Sequence, residues 1–349
     1  MAKLFVTGAS GHIGQSLVPR LCQEGHHVIC LFRRDHPKLS CKYESLGASI
    51  ITSDLGNSSD FGFTLRDAII IHLAAEVKVG DLTNDEKHEM MRVNYRESRR
   101  LYENSLKFGA KHFVSIGTRQ IFGNTTCPLS EDHADESLSQ MEQFPTVYAE
   151  TKAKFYSYLK SEGRNYTILT PGIVYSSFPN QTGLPYIFSI FRNGLRFMTG
   201  DPEVSYTYID DFIASIINVI SSPEKYIGKE FFIANGSLKR SQLFDIFQEI
   251  LGTNRKIREL SHPLLRFISK IKNKFGIHSP LLNIETLNLS SMNSILDSQQ
   301  SIKVLQVCYS DLGESLKYSL LKLSTIMEQK ENSRKIYGLS QNSPEIQVQ

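Results

Sequence analysis

Lys3-Leu-Phe-Val-Thr-Gly-Ala-Ser-Gly-His-Ile-Gly14 opens the chain and sets how the rest is read. Residues 4–6 are a short apolar run of strand character. Gly8, Gly11 and Gly14 follow at intervals of three, and an apolar-periodic helix begins near Gly11. A strand, a glycine-rich turn and a helix start form an anion site, because free backbone N–H groups and the helix dipole point at its occupant. Gly8 permits a tight turn, Gly11 lets a pyrophosphate approach the backbone, and Gly14 lets the helix pack close to the strand. Three glycines alone also fit an ordinary strand–turn–helix corner, so the rest of the chain must decide.

The chain has 349 residues, enough for one large domain or two that share a core. Hydrophobic residues make up 40% and charged residues 21%, an ordinary globular balance. A formal net charge of +3 gives no argument for a nucleic-acid partner. No apolar stretch is long and charge-free enough to span a bilayer, and a strand starting at Lys3 leaves no room for a signal peptide. Cys22, Cys30, Cys41, Cys127 and Cys308 are scattered, without metal or disulfide spacing. Reduced thiols, a cytoplasmic location, no metal and no membrane partner are expected.

Strand and helix then alternate. Residues 15–24 read as a helix ended by Gly25, and residues 27–32 as a second strand followed by Arg33 and Arg34. In a nucleotide-binding βαβ unit an acid at this strand end takes the ribose hydroxyl of NAD. Here a base follows Phe32, which suits the 2′-phosphate of NADP. Residues 49–52, 68–73, 111–116 and 165–169 read as further strands, and residues 84–107 as a long helix. This alternation predicts a doubly wound parallel sheet with helices on both faces, a Rossmann-type α/β fold. Ligands of such sheets bind beyond the carboxyl ends of the strands, where Gly8–Gly14, Arg33, Asp54, Ala74 and Thr118 all fall.

Residues 127–144 are polar and acidic and read as a surface loop, with His133 a loop histidine. Pro145 opens a helix carrying Tyr148 and Lys152. Beyond Ser176 the alternation stops. Residues 184–198 read as helical and aromatic, either lobe core or the wall of an apolar substrate site. Residues 204–209 read as a strand, with Asp210 and Asp211 capping the next helix. Residues 230–234 read as a strand, 241–251 as a helix, 263–275 as a basic helix and 312–327 as a last helix. The expected organisation is a dinucleotide-binding unit over residues 1–175 and a smaller α/β substrate lobe over residues 176–331, with elements returning to the first unit. A disordered tail is expected over residues 332–349.

Tyr148 and Lys152 lie four apart on a helix and so share a face. A free tyrosine titrates near pH ~10, and a nearby ammonium lowers that value. The pair is therefore expected to give and take a proton near neutrality. Thr118, at the end of the fifth strand, could hold a substrate oxygen beside the phenol.

The ordered set of motifs resembles an extended short-chain dehydrogenase/reductase, the group also called the NAD-dependent epimerase/dehydratase family. The carrying residues are Thr7-Gly-Ala-Ser-Gly-His-Ile-Gly14, Asp54-Leu55, His72-Leu-Ala-Ala75, Val93-Asn94, Ser115-Ile-Gly-Thr118 before Ile121-Phe-Gly123, Tyr148 with Lys152, Pro171-Gly-Ile-Val-Tyr175, and Tyr208-Ile-Asp-Asp211. The resemblance implies a catalytic set of Tyr148, Lys152 and Thr118. It implies that Gly8, Gly11 and Gly14, with His12 and Ile13, hold the pyrophosphate, and that Asp54 and Leu55 flank the adenine. Ala74 and Ala75 would line the path to the nicotinamide ribose. Lys152 would bind that ribose, and Pro171 to Val174 would border the nicotinamide. Asn94 is carried with the cofactor-binding set, and Arg33 matches an arginine of NADP-using reductases. NADP is the expected cofactor, with NAD as the alternative. The resemblance also implies a homodimer paired through the helices near residues 84–107 and 145–162.

Several positions depart from the family pattern. Ile116, Phe122 and Thr170 replace a common serine, tyrosine and arginine. Ile173 and Val204 are apolar where nucleotide-sugar epimerases often carry an asparagine and an arginine. Arg119 and Gln120 stand where dehydratases carry an acid pair. The expectation is therefore an NAD(P)-dependent oxidoreductase acting on a small-molecule secondary alcohol or ketone. A nucleotide-sugar epimerase or dehydratase with tightly held NAD, and a non-catalytic dinucleotide sensor, are the alternatives.

Overall fold

The computed structural model describes residues 1–178, 183–274 and 283–336. Its strands are β1 (Lys3–Thr7), β2 (His27–Phe32), β3 (Ser49–Thr52), β4 (Ile69–His72), β5 (His112–Ile116) and β6 (Tyr166–Pro171). They continue with β7 (Ile173–Tyr175), β8 (Phe197–Met198), β9 (Glu203–Tyr208), β10 (Lys229–Ile233), β11 (Gly236–Lys239) and β12 (Arg258–Glu259). Seven of them form one sheet in the order β10-β6-β5-β4-β1-β2-β3, parallel throughout. The doubly wound parallel fold expected from the alternation is present.

Strand periodicity explains the two cores. Leu4, Val6, Ile69, Ile71, Val114, Phe231 and Ile233 face the His12–Gln23 and Ile209–Ser221 helices. Phe5, Ile70, Phe113, Ile168 and Phe232 face the opposite layer, which holds the Ser98–Lys107 and Val147–Glu162 helices. Successive side chains point to opposite faces of a strand, so strands covered on both sides are apolar throughout. Each fully buried side chain of this size contributes roughly 1.5–3 kcal/mol. β10 lies far along the chain yet pairs with β6, so the later half of the chain closes one edge of the sheet.

A third core joins Tyr175, Phe188, Phe191, Tyr206, Phe244, Phe247 and Leu316 beside the small sheet β11-β9-β7. Of the rings in the aromatic stretch, Phe188 and Phe191 serve this core, while Phe197 stays half-buried and Tyr186 partly exposed. That helix, Gly183–Arg192, ends before the expected boundary, and β8 follows.

Other expectations need correction. The 84–107 stretch is helical, but Arg92–Glu97 widens into a π turn between Asn84–Met91 and Ser98–Lys107, with Ser98 Oγ donating to Val93 O at 2.8 Å. Residues 37–45, not anticipated, form a helix with proline at its start. The 127–144 stretch is not simply a surface loop. It contains the Ala134–Ser139 helix, and Glu131 Oε1 accepts from Phe232 N at 2.8 Å, which ties it to β10. Asp211 does not cap its helix. Its carboxylate instead accepts from Asn235 Nδ2 at 2.5 Å and Ser310 N at 2.8 Å, pinning two distant segments. The last helix runs Leu312–Ile336, past the expected boundary at residue 331, and the remainder of the expected tail lies outside the described residues. Part of the turn expected near residues 178–183 also lies outside them.

Candidate active site

Strand order reverses between β4 and β1, so connections leave their carboxyl ends in opposite directions and open a crevice there. The glycine turn lies on this edge. Gly8 has φ +67°, and a Cβ on it would lie 2.6 Å from Ala74 N, so only glycine fits between β1 and the end of β4. A Cβ on Gly14 would lie 2.5 Å from Ala9 O, so the first helix presses directly on the turn. Gly11 is the N-cap of that helix, exposed and without a side-chain cap, so no side chain caps the leading N–H groups. Ile13 packs against the core. His12 Nε2 meets Ser176 Oγ at 2.7 Å and its ring stacks on Phe178, joining the turn to the segment after β7. Burial lowers the His12 pKa.

His72 braces the turn from within. Its Nδ1 meets Thr7 Oγ1 at 2.8 Å and its Nε2 meets Ser98 Oγ at 2.8 Å. Thr7 Oγ1 also accepts from Ala74 N at 3.2 Å. Burial, with a smaller effect of the Lys152 charge, pulls the His72 pKa to about 3, so the ring is neutral.

The side expected to meet the adenosine carries more internal pairing than its sequence suggests. Arg33 Nη1 donates to Glu76 Oε2 at 3.0 Å. Arg92 forks onto Asp54 at 2.8 and 3.1 Å, and Gly56 N donates to Asp54 Oδ1 at 2.8 Å. The Arg92 hydrogen bond holds the Asp54 carboxyl below its usual range. Leu55 is buried, Ala74 half-buried and Ala75 exposed. Asn94 is buried, and its amide nitrogen donates to Glu76 O at 2.8 Å and Thr151 Oγ1 at 3.1 Å, while Oδ1 accepts from Glu76 N. Both of its N–H donors are thus engaged by protein, and the residue ties the segment after β4 to the helix bearing Tyr148.

That helix, Val147–Glu162, is set in place at its first turn. Thr146 Oγ1 accepts from Ala149 N at 3.0 Å and donates to Gln120 Oε1 at 3.0 Å. Glu285 accepts from Val147 N at 2.8 Å and from Gly80 N at 3.1 Å. Thr118 caps the short 3-10 turn Arg119–Phe122 after β5, and it lies near enough to the Tyr148 phenol to lower its pKa. Lys152 Nζ donates to Ile116 O at 2.6 Å. Pro171 ends β6, and Val174 in β7 packs on the sheet core.

The electrostatics differ from the sequence expectation. Burial pushes Tyr148 up to about 12, and the Thr118 hydrogen bond acts against that shift. Burial pulls Lys152 down to about 8. The ammonium is directed at a backbone carbonyl, so desolvation outweighs mutual tuning of the pair.

The geometry thus brings Tyr148 and Thr118 together, with Lys152 bonded to the end of the same strand, and gathers Gly8, Gly11, Gly14, His12 and Ala74 at the turn. Arg33 and Asp54 stand in ion pairs of their own. Arg92, Glu76, Ser176 and Glu285 were not anticipated. Arg92 alone left a local signal, Glu89 three residues before it on a helix. Large apolar side chains that would have supported pairing through the Asn84–Lys107 and Val147–Glu162 segments are not exposed there among the described residues. Exposed ones include Leu264, Phe267, Ile268 and Ile271 of His262–Lys274. Among the described residues no helix is long and apolar enough to cross a membrane.

Known proteins resemble this chain in sequence and fold. The chain is 23% identical over 296 residues to Protein CapI of Staphylococcus aureus, covering 78% of this chain and 84% of that protein. It is 22% identical over 333 residues to a 3-beta-hydroxysteroid dehydrogenase of Mycolicibacterium neoaurum, covering 86% of each. The crystal structure of DesIV, a dTDP-glucose 4,6-dehydratase from Streptomyces venezuelae solved with NAD bound, superposes with a TM-score of 0.71 at 17% identity, covering 93% of this chain and 98% of that one. Residues 4–234, which carry the glycine turn, Thr118, Tyr148 and Lys152, match one family along their whole length, and the chain belongs to it: the NAD dependent epimerase/dehydratase family.

Proposed function

We propose that the protein is an NAD(P)-dependent oxidoreductase interconverting a secondary alcohol and a ketone. The observation that carries this reading is that Thr118, at the end of β5, lies near enough to the Tyr148 phenol to lower its pKa, with Lys152 Nζ bonded to Ile116 O of the same strand, on the same sheet edge as the glycine turn. The turn suits a dinucleotide: a helix start without a side-chain cap, an exposed Gly11 and closely packed Gly8 and Gly14. Gly8, Gly11, His12, Ile13 and Gly14 would hold the pyrophosphate, and Lys152 and Ala74 the nicotinamide end. A bound nicotinamide supplies or accepts the hydride. Thr118 holds the substrate oxygen beside Tyr148. Tyr148 gives its proton to that oxygen in the reductive direction and takes it back in the oxidative one. Lys152 stabilises the phenolate left behind.

Arg33 supports NADP, while its ion pair with Glu76 and the NAD seen in DesIV support NAD. Cofactor released from the purified protein and identified by mass decides between them. The relatives include both a hydroxysteroid dehydrogenase and, by structure, a nucleotide-sugar dehydratase, so an epimerase or dehydratase reaction is the second reading. Apolar Ile173 and Val204 favour the first. The test is oxidation of NADH or NADPH against a carbonyl panel. Tyr148→Phe is expected to abolish turnover with dinucleotide binding intact, and a variant as active as the parent rejects the proposed role.

A further inference from the structure

Arg119 directly follows Thr118, and its surroundings are unusual for an arginine. Its Nη1 is shut off from solvent and has no hydrogen-bond partner. No carboxylate forms an ion pair with it among the described residues. Burial draws its pKa down to about 10, and the group that acts on it is the Tyr206 phenol. Tyr206, in β9, is 4% exposed, and its phenol feels the charges of both Arg119 and Arg240. Arg240 donates from Nη1 to Thr199 O at 3.0 Å. Tyr206 and then Asp201 act on its charge, and the Asp201 carboxylate is itself held by Ser241 N and Oγ at 2.8 Å each.

Arg119 is thus only half-buried, yet its Nη1 is closed off without an acceptor. A buried donor without an acceptor is costly, and a bound ligand is one thing that supplies the acceptor. Arginine is also the side chain whose planar fork fits carboxylate and phosphate oxygens. The neighbour of this cation in sequence is the threonine that contacts Tyr148.

We propose that Arg119, next in sequence to Thr118 and with a closed-off Nη1 that has no acceptor, recognises an anionic oxygen group of the substrate, a carboxylate or a phosphate, a few bonds from the carbon that reacts at Thr118 and Tyr148. The inference rests on the oxidoreductase reading and narrows it to acidic alcohols and ketones. Arg119 is then a specificity residue: a neutral substrate leaves its Nη1 without an acceptor, and an acidic one satisfies it.

The experiment reads anion binding without turnover, so its result stands apart from that of the carbonyl panel. Thermal unfolding of the full chain is followed against malonate, inorganic phosphate and neutral malonamide, for the parent, Arg119→Met and Arg119→Lys. The parent is expected to show a saturable rise in Tm with malonate or phosphate and none with malonamide. The stronger of the two anions identifies the group. Arg119→Met is expected to lose the response and, without anion, to melt no lower than the parent, because a buried donor without an acceptor is gone. Arg119→Lys is expected to keep a weaker response. With an acidic substrate from the panel, Arg119→Met raises KM by roughly 10- to 100-fold, the scale of a lost charge-assisted hydrogen bond. A parent with no saturable response, a response that survives in Arg119→Met, or an Arg119→Met protein that melts several degrees lower each overturns the proposal.

Discussion

Lys152→Met is predicted to make the protein more stable at neutral pH while removing its activity. The side chain is 7% exposed, and burial pulls its pKa from 10.5 to about 8. Between those values the unfolded chain binds more protons than the folded one, so stability rises with pH across that window. The penalty for the buried charge is present in full below about pH 8 and gone above 10.5. A difference of about 2.5 pH units at 1.36 kcal/mol per unit gives about 3 kcal/mol. The substitution also removes the hydrogen bond to Ile116 O, which costs about 1 kcal/mol. The net expectation is a gain of about 2 kcal/mol at pH 7, fading to zero or slightly below it near the unfolded pKa. Urea melts of parent and variant at several pH values between 7 and 10 measure it, since other titrating groups cancel in the difference. A variant less stable than the parent at pH 7, or a stability difference that ignores pH, would refute the reasoning.

Three further outcomes follow from particular contacts. Gly14→Ala drives a Cβ to 2.5 Å from Ala9 O and 2.6 Å from Ala9 C, both backbone atoms that cannot step aside. Overpacking of about 1–3 kcal/mol set against a helix-propensity gain of about 1 leaves a net loss and weaker dinucleotide binding, read by urea melts and cofactor titration. Glu230 is pushed up to about 7 by burial, above its unfolded 4.5, so it supports the fold fully below pH 4.5 and progressively less up to pH 7. Glu230→Gln should flatten that decline, and a melt series with the parent's slope counts against it. Glu76→Gln frees Arg33 from its 3.0 Å ion pair and should raise the NADPH-to-NADH preference by roughly 10-fold, whereas an unchanged ratio separates Arg33 from the ribose phosphate.

The sheet was readable because its strands are buried on both faces. Residues such as Ile69, Ile70 and Ile71 leave an unbroken apolar run that only a covered strand accommodates. The glycine turn was readable because Gly8 takes a positive φ and Gly14 presses on Ala9 only five residues before it. The ion pairs were not, because Arg33 meets Glu76 and Arg92 meets Asp54 across long stretches of chain, and nothing in either neighbourhood specifies the partner. Glu131 misled for the complementary reason. Its acidic surroundings describe a solvated loop, but its own carboxylate is drawn inward by a free N–H of β10. Asp211 looked like a helix cap for the same local reasons, yet Asn235 and Ser310 claim its oxygens.

The Tyr148–Lys152 pair shows where spacing stops being informative. Four residues on a helix put both side chains on one face, but the sign of a pKa shift depends on what else surrounds them. Desolvation penalises charge of either sign, so it raises the phenol and lowers the ammonium, pushing both toward neutrality. Thr118 is the neighbour that opposes this at Tyr148. The two penalties are not independent once a proton moves. Loss of the Tyr148 proton to a substrate oxygen creates a phenolate, and a phenolate nearby raises the affinity of Lys152 for its own proton. The ion pair then shares one desolvation cost that the separate groups bear twice. On the proposed roles, Lys152 therefore acts by making the ionised form of Tyr148 accessible during the reaction rather than by acidifying the phenol beforehand. The resting ammonium, held at Ile116 O, is the reserve from which that stabilisation is drawn.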